Sequence, residues 1–172
     1  MRKQKGFSLI ELLIVVAIIL IIAAIAIPNL MRAKMAANDS SAAASERTIV
    51  TAEVGYYASY PTIGYTGLVA LGGAVNVACV PSTTTACLLD NNLSNNGPGG
   101  LGKSGYNFTA VEAVATITTP PTFITTATPL GTTSGTKAYC AVDDGVVRTQ
   151  PAGTITKVAG YGACQALTPL SN

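Results

Sequence analysis

Glu11 is the one formal charge in a run of 21 mainly apolar residues, at positions 7–27. A carboxylate placed inside lipid costs about 2.5 kcal/mol or more, so such a residue usually has both a partner and a function. The chemistry expected of Glu11 is therefore charge pairing with a cation that lies at the same depth.

Four cysteines are the other residues able to do chemistry. Cys79, Cys87, Cys140 and Cys164 all follow the apolar run. An even number of cysteines in a segment outside the cytoplasm favours disulfides, and short sequence separations favour the links Cys79–Cys87 and Cys140–Cys164. The alternative is a zinc site of four thiolates, which lacks the paired C-x2-C spacing of such sites.

Composition excludes several classes of function. The chain contains no His and no Trp, which excludes a His-dependent triad or a His-ligated zinc site within it. No Ser, Cys or carboxylate pair has a recognisable base partner, so we expect no enzymatic activity and no cofactor. Three of the ten basic residues are Arg2, Lys3 and Lys5, and the remainder of the chain carries seven basic against eight acidic residues. No nucleic-acid partner is predicted.

The run at positions 7–27 is long enough to span a bilayer, because 21 helical residues extend roughly 32 Å. A cleaved signal peptide is the alternative, with residues 24–26 as an A-x-A-like site. The apolar region of a signal peptide is about 7–15 residues long, however, whereas the run in this chain is longer and contains the carboxylate of Glu11. We therefore expect a retained anchor in the inner membrane, with the basic leader in the cytoplasm and the C-terminus outside.

The residues from Lys5 to Ile18, KGFSLIELLIVVAI, resemble the leader of type IV pilins and of the pseudopilins of type II secretion. This resemblance covers roughly residues 1–60. It implies that a prepilin peptidase cleaves after Gly6, that Phe7 is N-methylated, and that Glu11 aligns subunits during assembly. It also implies that Pro28 kinks a long N-terminal helix.

The chain divides by composition into four segments. We expect a leader at 1–6, an apolar helix at 7–28, an amphipathic helix at 29–60 and a β-rich head at 61–172. A stripe of Ile49, Ala52, Tyr56 and Tyr60 has the spacing of a helix face that packs on a sheet. The polar residues at 38–41 interrupt the pattern and are expected to be solvated or to face another subunit.

The second half of the chain has the alternation and turn signals of β-structure. Residues 106–109, 111–118, 122–128, 138–142 and 146–149 are the predicted strand segments, and Asp143-Asp144-Gly145 is a hairpin signal. The predicted fold is α+β, with a long N-terminal helix packed on a four-stranded antiparallel sheet. This fold agrees with the pilin resemblance.

Three further features have two interpretations each. The polar run at 90–100 is a solvated loop or, less favoured, a calcium site, since it has only one acidic residue. The threonines at 116–136 favour strands or are glycosylated, and two N-glycosylation sequons begin at Asn92 and Asn107. Tyr56, Tyr57 and Tyr60 fill the contact between helix and sheet or serve electron transfer.

The predicted function is that of a structural subunit of a type IV pilus or a pilus-like filament. The expected partners are further copies of the chain in a helical homopolymer, minor pilins, the prepilin peptidase and an inner-membrane assembly platform. The protein is expected in the inner membrane before assembly, and in an extracellular pilus or a periplasmic pseudopilus afterwards. The alternatives are a secretion pseudopilin and an anchored binding module that does not polymerise.

Overall fold

The computed structural model describes residues 8–73, 78–97, 100–113 and 120–170. The described part contains nine elements, which in chain order are α1 Leu9–Ser59, α2 Leu68–Leu71, α3 Asn91–Ser94, β1 Tyr106–Ala113, β2 Thr122–Pro129, β3 Tyr139–Val142, β4 Arg148–Thr149, α4 Tyr161–Gln165 and β5 Thr168–Pro169. The chain divides into two compact units, Met1–Lys34 and Met35–Asn172. The predicted α+β class is confirmed.

Helix α1 is 51 residues long and is continuous through Pro28. Its end at Ser59 lies within one residue of the predicted end, because Pro61 disfavours helical geometry in the residue before it. The kink at Pro28 remains a prediction. It is based on the backbone hydrogen bond that a proline removes inside a helix.

The second unit is built on the 35–59 part of α1. The stripe predicted to pack on the sheet does so, since Ile49, Ala52 and Tyr56 are buried and Tyr60 is partly buried against the same core. The sheet contributes Phe108 and other alternating residues to this core. Burial of aromatic and aliphatic side chains at helical spacing on one side and at strand spacing on the other stabilises the contact.

The sheet has five antiparallel strands in the order β1-β2-β3-β4-β5, so the predicted count of four is wrong. Strand β5 consists of Thr168 and Pro169, which pair with Thr149 and Arg148 of β4. A two-residue strand that contains proline has no alternating pattern, so only its tertiary partner makes it a strand.

The other strands follow the sequence closely. Strand β1 unites the first two predicted segments as far as Ala113, while positions 114–118 lie outside the described residues. The Asp143-Asp144-Gly145 signal is confirmed, because β3 and β4 are paired antiparallel around it. Gly145 has φ 75°, a left-handed conformation that glycine adopts without strain.

The C-terminal segment covers part of the opposite face of the sheet. Cys140 and Val142 of β3 pack there with Val158 and Cys164 in a second, smaller core. Strand β3 is therefore buried on both faces, which explains why all four of its residues are buried.

Candidate functional site

The apolar part of α1 is uncovered within the first unit. Every large apolar side chain from Leu9 to Met31 is between 45% and 77% exposed. This part of α1 is also long and apolar enough to cross a membrane. Sixteen exposed apolar side chains on one helix are typical of a segment that lies in lipid or packs against other apolar helices.

Glu11 lies in the first turn of α1, between exposed leucine and isoleucine side chains. Its own side chain is exposed as well. The carboxylate is therefore presented outward on an apolar surface, where a partner from another molecule can reach it. Gly6 and Phe7 lie outside the described residues, so the cleavage and methylation sites remain predictions.

Asn38 and Asp39 contact the head, so the prediction that the polar segment at 38–41 is solvated or faces another subunit is wrong for these two residues. Ser40 is exposed, in agreement with it. Asp39 accepts hydrogen bonds from Tyr106 Oη (2.5 Å), from the backbone N–H of Thr136 (3.0 Å) and from Thr136 Oγ1 (2.5 Å). Asn38 Nδ2 donates to the backbone oxygen of Ser134 (2.7 Å). Most of these partners are about a hundred positions away in the chain. Residue type alone does not distinguish a polar residue that binds the head from one on a solvated helix face.

Gly135 is required by the same contact. A Cβ atom on Gly135 would lie 2.2 Å from Tyr106 Oη and 2.6 Å from Asp39 Oδ1. Burial raises the pKa of Tyr106, and the neighbouring Asp39 carboxylate raises it further. The tyrosine therefore keeps its proton and donates a hydrogen bond to the carboxylate.

Two glutamates of α1, Glu46 and Glu53, are fully buried, and neither was predicted from the sequence to be functional. They lie seven residues apart, in phase with the stripe of Ile49 and Tyr56. The signal was present, because the stripe spacing extends through both positions. Acidic residues are rarely buried without a partner, so their type argued for the solvent side of the helix.

The buried carboxyls contact different parts of the head. Thr125 Oγ1 of β2 donates to Glu46 Oε2 (2.5 Å), and the backbone N–H of Thr66 donates to Glu53 Oε2 (3.1 Å). The Oε1 atom of each carboxyl has no hydrogen-bond partner among the described residues. Burial raises the pKa of each carboxyl to about 8. The hydrogen bonds from Thr125 and Thr66 partly oppose this shift, and the charge of Glu112 adds to it at Glu53.

The cysteines form the two disulfides that their spacing predicts, Cys79–Cys87 and Cys140–Cys164. The second joins β3 to α4. Near it, Arg148 donates two hydrogen bonds to the Asp144 carboxylate, at 3.1 Å and 2.5 Å.

In the part that the structure describes, the polar run at 90–100 forms hydrogen bonds within itself and to β1. Asp90 is the N-cap of α3, and its Oδ1 accepts a hydrogen bond from the backbone N–H of Leu93 (2.8 Å). The Asn96 amide donates to the backbone oxygen of Phe108 (2.6 Å) and accepts from its N–H, which caps the outer edge of β1. Within the described residues, no three His, Cys, Asp or Glu side chains are grouped to hold a metal ion.

The tyrosines of α1 divide between two environments. Tyr56 is buried and donates to the backbone oxygen of Thr83 (2.7 Å), as expected for an aromatic residue between helix and sheet. Tyr57 is 37% exposed and stacks on Tyr65, with ring centroids 5.1 Å apart. Packing accounts for the first residue fully and for the second in part.

Among the threonines at 116–136, Thr125 and Thr126 are buried while Thr132 and Thr133 are exposed. Positions 116–119 lie outside the described residues. Glycosylation of the exposed threonines remains a prediction.

Comparison with known proteins places the similarity at the N-terminus. The prokaryotic N-terminal methylation motif matches residues 1–27. The type IV wide pilus major component PilA4 of Thermus thermophilus is 65% identical over 40 residues, which are 23% of this chain and 30% of that protein. The type IV major pilin protein PilA of Myxococcus xanthus is 44% identical over 55 residues, or 32% of this chain and 25% of that protein.

The matched segments cover less than a third of either relative. No solved structure is significantly similar to the chain. The resemblance to type IV pilins is confirmed at the N-terminus, where the methylation motif and an apolar helix that fits a membrane-anchored pilin coincide.

Proposed function

We propose that this protein is a structural subunit of a type IV pilus or a pilus-like filament, and not an enzyme. The observation that carries the proposal is the exposed apolar surface of α1 from Leu9 to Met31, most of which lies within the methylation motif at residues 1–27. A helix of this kind is stable in lipid as a stored subunit, and its apolar side chains can pack against other apolar helices in a fibre.

Processing precedes assembly in this proposal. A prepilin peptidase cleaves the chain after Gly6 and methylates the new amine of Phe7. Cleavage removes Arg2, Lys3 and Lys5, which until then hold the N-terminus in the cytoplasm. The chain crosses the inner membrane once, with its head outside, until an assembly platform extracts it.

Assembly then depends on Glu11. In a growing fibre the amine of a neighbouring Phe7 neutralises the carboxylate only at one axial register, so the pair selects register as well as neutralising charge. Head-to-tail contacts that do not close into a ring then extend the fibre, and minor pilins are expected beside copies of this chain.

The test is to shear surface filaments from cells that express the chain, image them and identify their subunit by mass spectrometry. We expect filaments whose subunit begins at methylated Phe7. Filaments that retain the 1–6 leader would contradict the processing step. Absence of the protein from every filament, with the mature chain remaining in the membrane, would favour an anchored module that does not polymerise.

A role as a secretion pseudopilin is compatible with the leader, but we favour a pilus subunit over it. Both relatives described above are named as major pilus components. Recovery of the chain only in short periplasmic filaments, together with loss of protein secretion on its deletion, would reverse this order.

A further inference from the structure

The contact between α1 and the head contains two acidic groups that the proposed assembly does not use. Glu46 and Glu53 are both 0% exposed, and each has one oxygen bonded to the head and one oxygen without a partner among the described residues. A buried, half-satisfied carboxylate is costly, whereas a neutral carboxyl in the same place loses much less hydration. The geometry therefore favours a proton on each group.

We infer that the contact between α1 and the head is a pH-sensitive switch, closed while Glu46 and Glu53 carry protons and opened to water when they lose them. The two groups act on different elements. Glu46 contacts β2 through Thr125, and Glu53 contacts the segment before α2 through Thr66. Ionisation of both would hydrate the contact at two places two helical turns apart.

Within the described residues, no cation is among the groups that shift the pKa of Glu46 or Glu53. On β1, Glu112 is an exposed acid whose charge raises the pKa of Glu53 further. Tyr65, also near Glu53, has a raised pKa and stays neutral. Beside Glu46, β2 presents the uncharged Thr125. The ammonium of Lys103 donates to Ser45 Oγ (3.3 Å) on the same helix, and within the described residues no ion pair to Glu46 is formed.

The direction of the pH effect follows from proton binding. The folded pKa of each group is about 8, against 4.5 for an ordinary glutamate. Between pH 4.5 and 8 the folded state holds protons that the unfolded state has released, so stability falls as pH rises. Each group lowers the folding equilibrium constant by up to about tenfold per pH unit in this window, and above it the dependence ends.

Infrared spectroscopy of the full chain in detergent tests the protonation directly. We expect a carbonyl band of protonated carboxylic acid at pH 7 that weakens in Glu46→Gln, weakens in Glu53→Gln and weakens by the sum of the two in the double variant. Absence of this band from the unsubstituted protein at pH 6 would overturn the inference, and this result does not depend on any variant folding.

Hydrogen exchange tests the opening itself. After correction for intrinsic exchange rates, protection of the segments around Thr66 and Thr125 should fall between pH 6 and 9. The decrease should be absent from the double Gln variant, which mimics the neutral acids. An unchanged decrease in that variant would overturn the inference.

Two control variants distinguish titration of Glu46 and Glu53 from titration of other acidic residues. Asp90→Asn removes an exposed acid that caps α3, and it should leave the exchange profile unchanged. Glu112→Gln removes the charge that raises the pKa of Glu53, so the transition at Thr66 should move to lower pH while that at Thr125 stays in place. Equal shifts at both segments would contradict the assignment of two separate carboxyls.

Discussion

Replacement of Asp39 by alanine should destabilise the head, although the sequence places Asp39 in a polar run on a helix surface. The substitution removes the acceptor of three hydrogen bonds, from Tyr106 Oη and from two groups of Thr136. Hydrogen bonds to charged groups contribute about 1.5–3 kcal/mol each, and Asp39 is partly solvated. Tyr106 also retains a second acceptor, the backbone oxygen of Lys137 (2.8 Å).

Together these terms give a loss of about 3 kcal/mol for Asp39→Ala. For a unit of this size the loss corresponds to a Tm lower by about 6–12 °C. Thermal unfolding of the full chain in detergent, followed by circular dichroism, measures it. Asp39→Asn keeps one acceptor oxygen and should lose about half as much.

Ser40→Ala is the matched control, because Ser40 is the exposed neighbour whose hydroxyl bonds only within α1, to the backbone oxygen of Ala36 (3.0 Å). Its Tm should stay within about 2 °C of the parent. A double-mutant cycle of Asp39→Ala and Tyr106→Phe should give a coupling of about 1–3 kcal/mol. An Asp39→Ala shift no larger than that of the control, or a coupling near zero, would show that these hydrogen bonds do not hold α1 to the head.

Three further predictions concern assembly and the head. Glu11→Val should leave the mature-to-precursor ratio on an immunoblot nearly unchanged but abolish filaments, and normal filament yield would remove Glu11 as the assembly determinant. Replacement of Cys140 and Cys164 by alanine should lower head stability by about 3.5 kcal/mol in denaturant titration, as a loop of 24 residues is released; an unchanged midpoint would contradict this. Gly135→Ala should lower the Tm by more than Ser40→Ala, because its Cβ would collide with Tyr106 Oη. An equal Tm would mean that the 131–137 segment adjusts freely.

The local parts of the fold were predictable because their signals lie within a few residues of one another. The stripe of Ile49, Ala52 and Tyr56 repeats at helical spacing, and Pro61 fixes where the helix ends. The Asp143-Asp144-Gly145 turn is likewise a local signal. For the same reason β5 was missed, since two residues carry no period and their strand character comes from pairing with β4.

The apolar surface of the first unit was also determined by the sequence. An apolar run of 21 residues is long enough to span a bilayer, and a carboxylate inside it is costly, so residue type and spacing alone predict an anchor with one functional charge. Tertiary structure decided the roles of Asp39, Glu46 and Glu53. An acidic residue on a helix is ordinarily solvated. It binds the head, as Asp39 does, or becomes buried only when residues far along the chain surround it. Because the free energy of a charge depends on its surroundings and not on its own type, these assignments required the folded head.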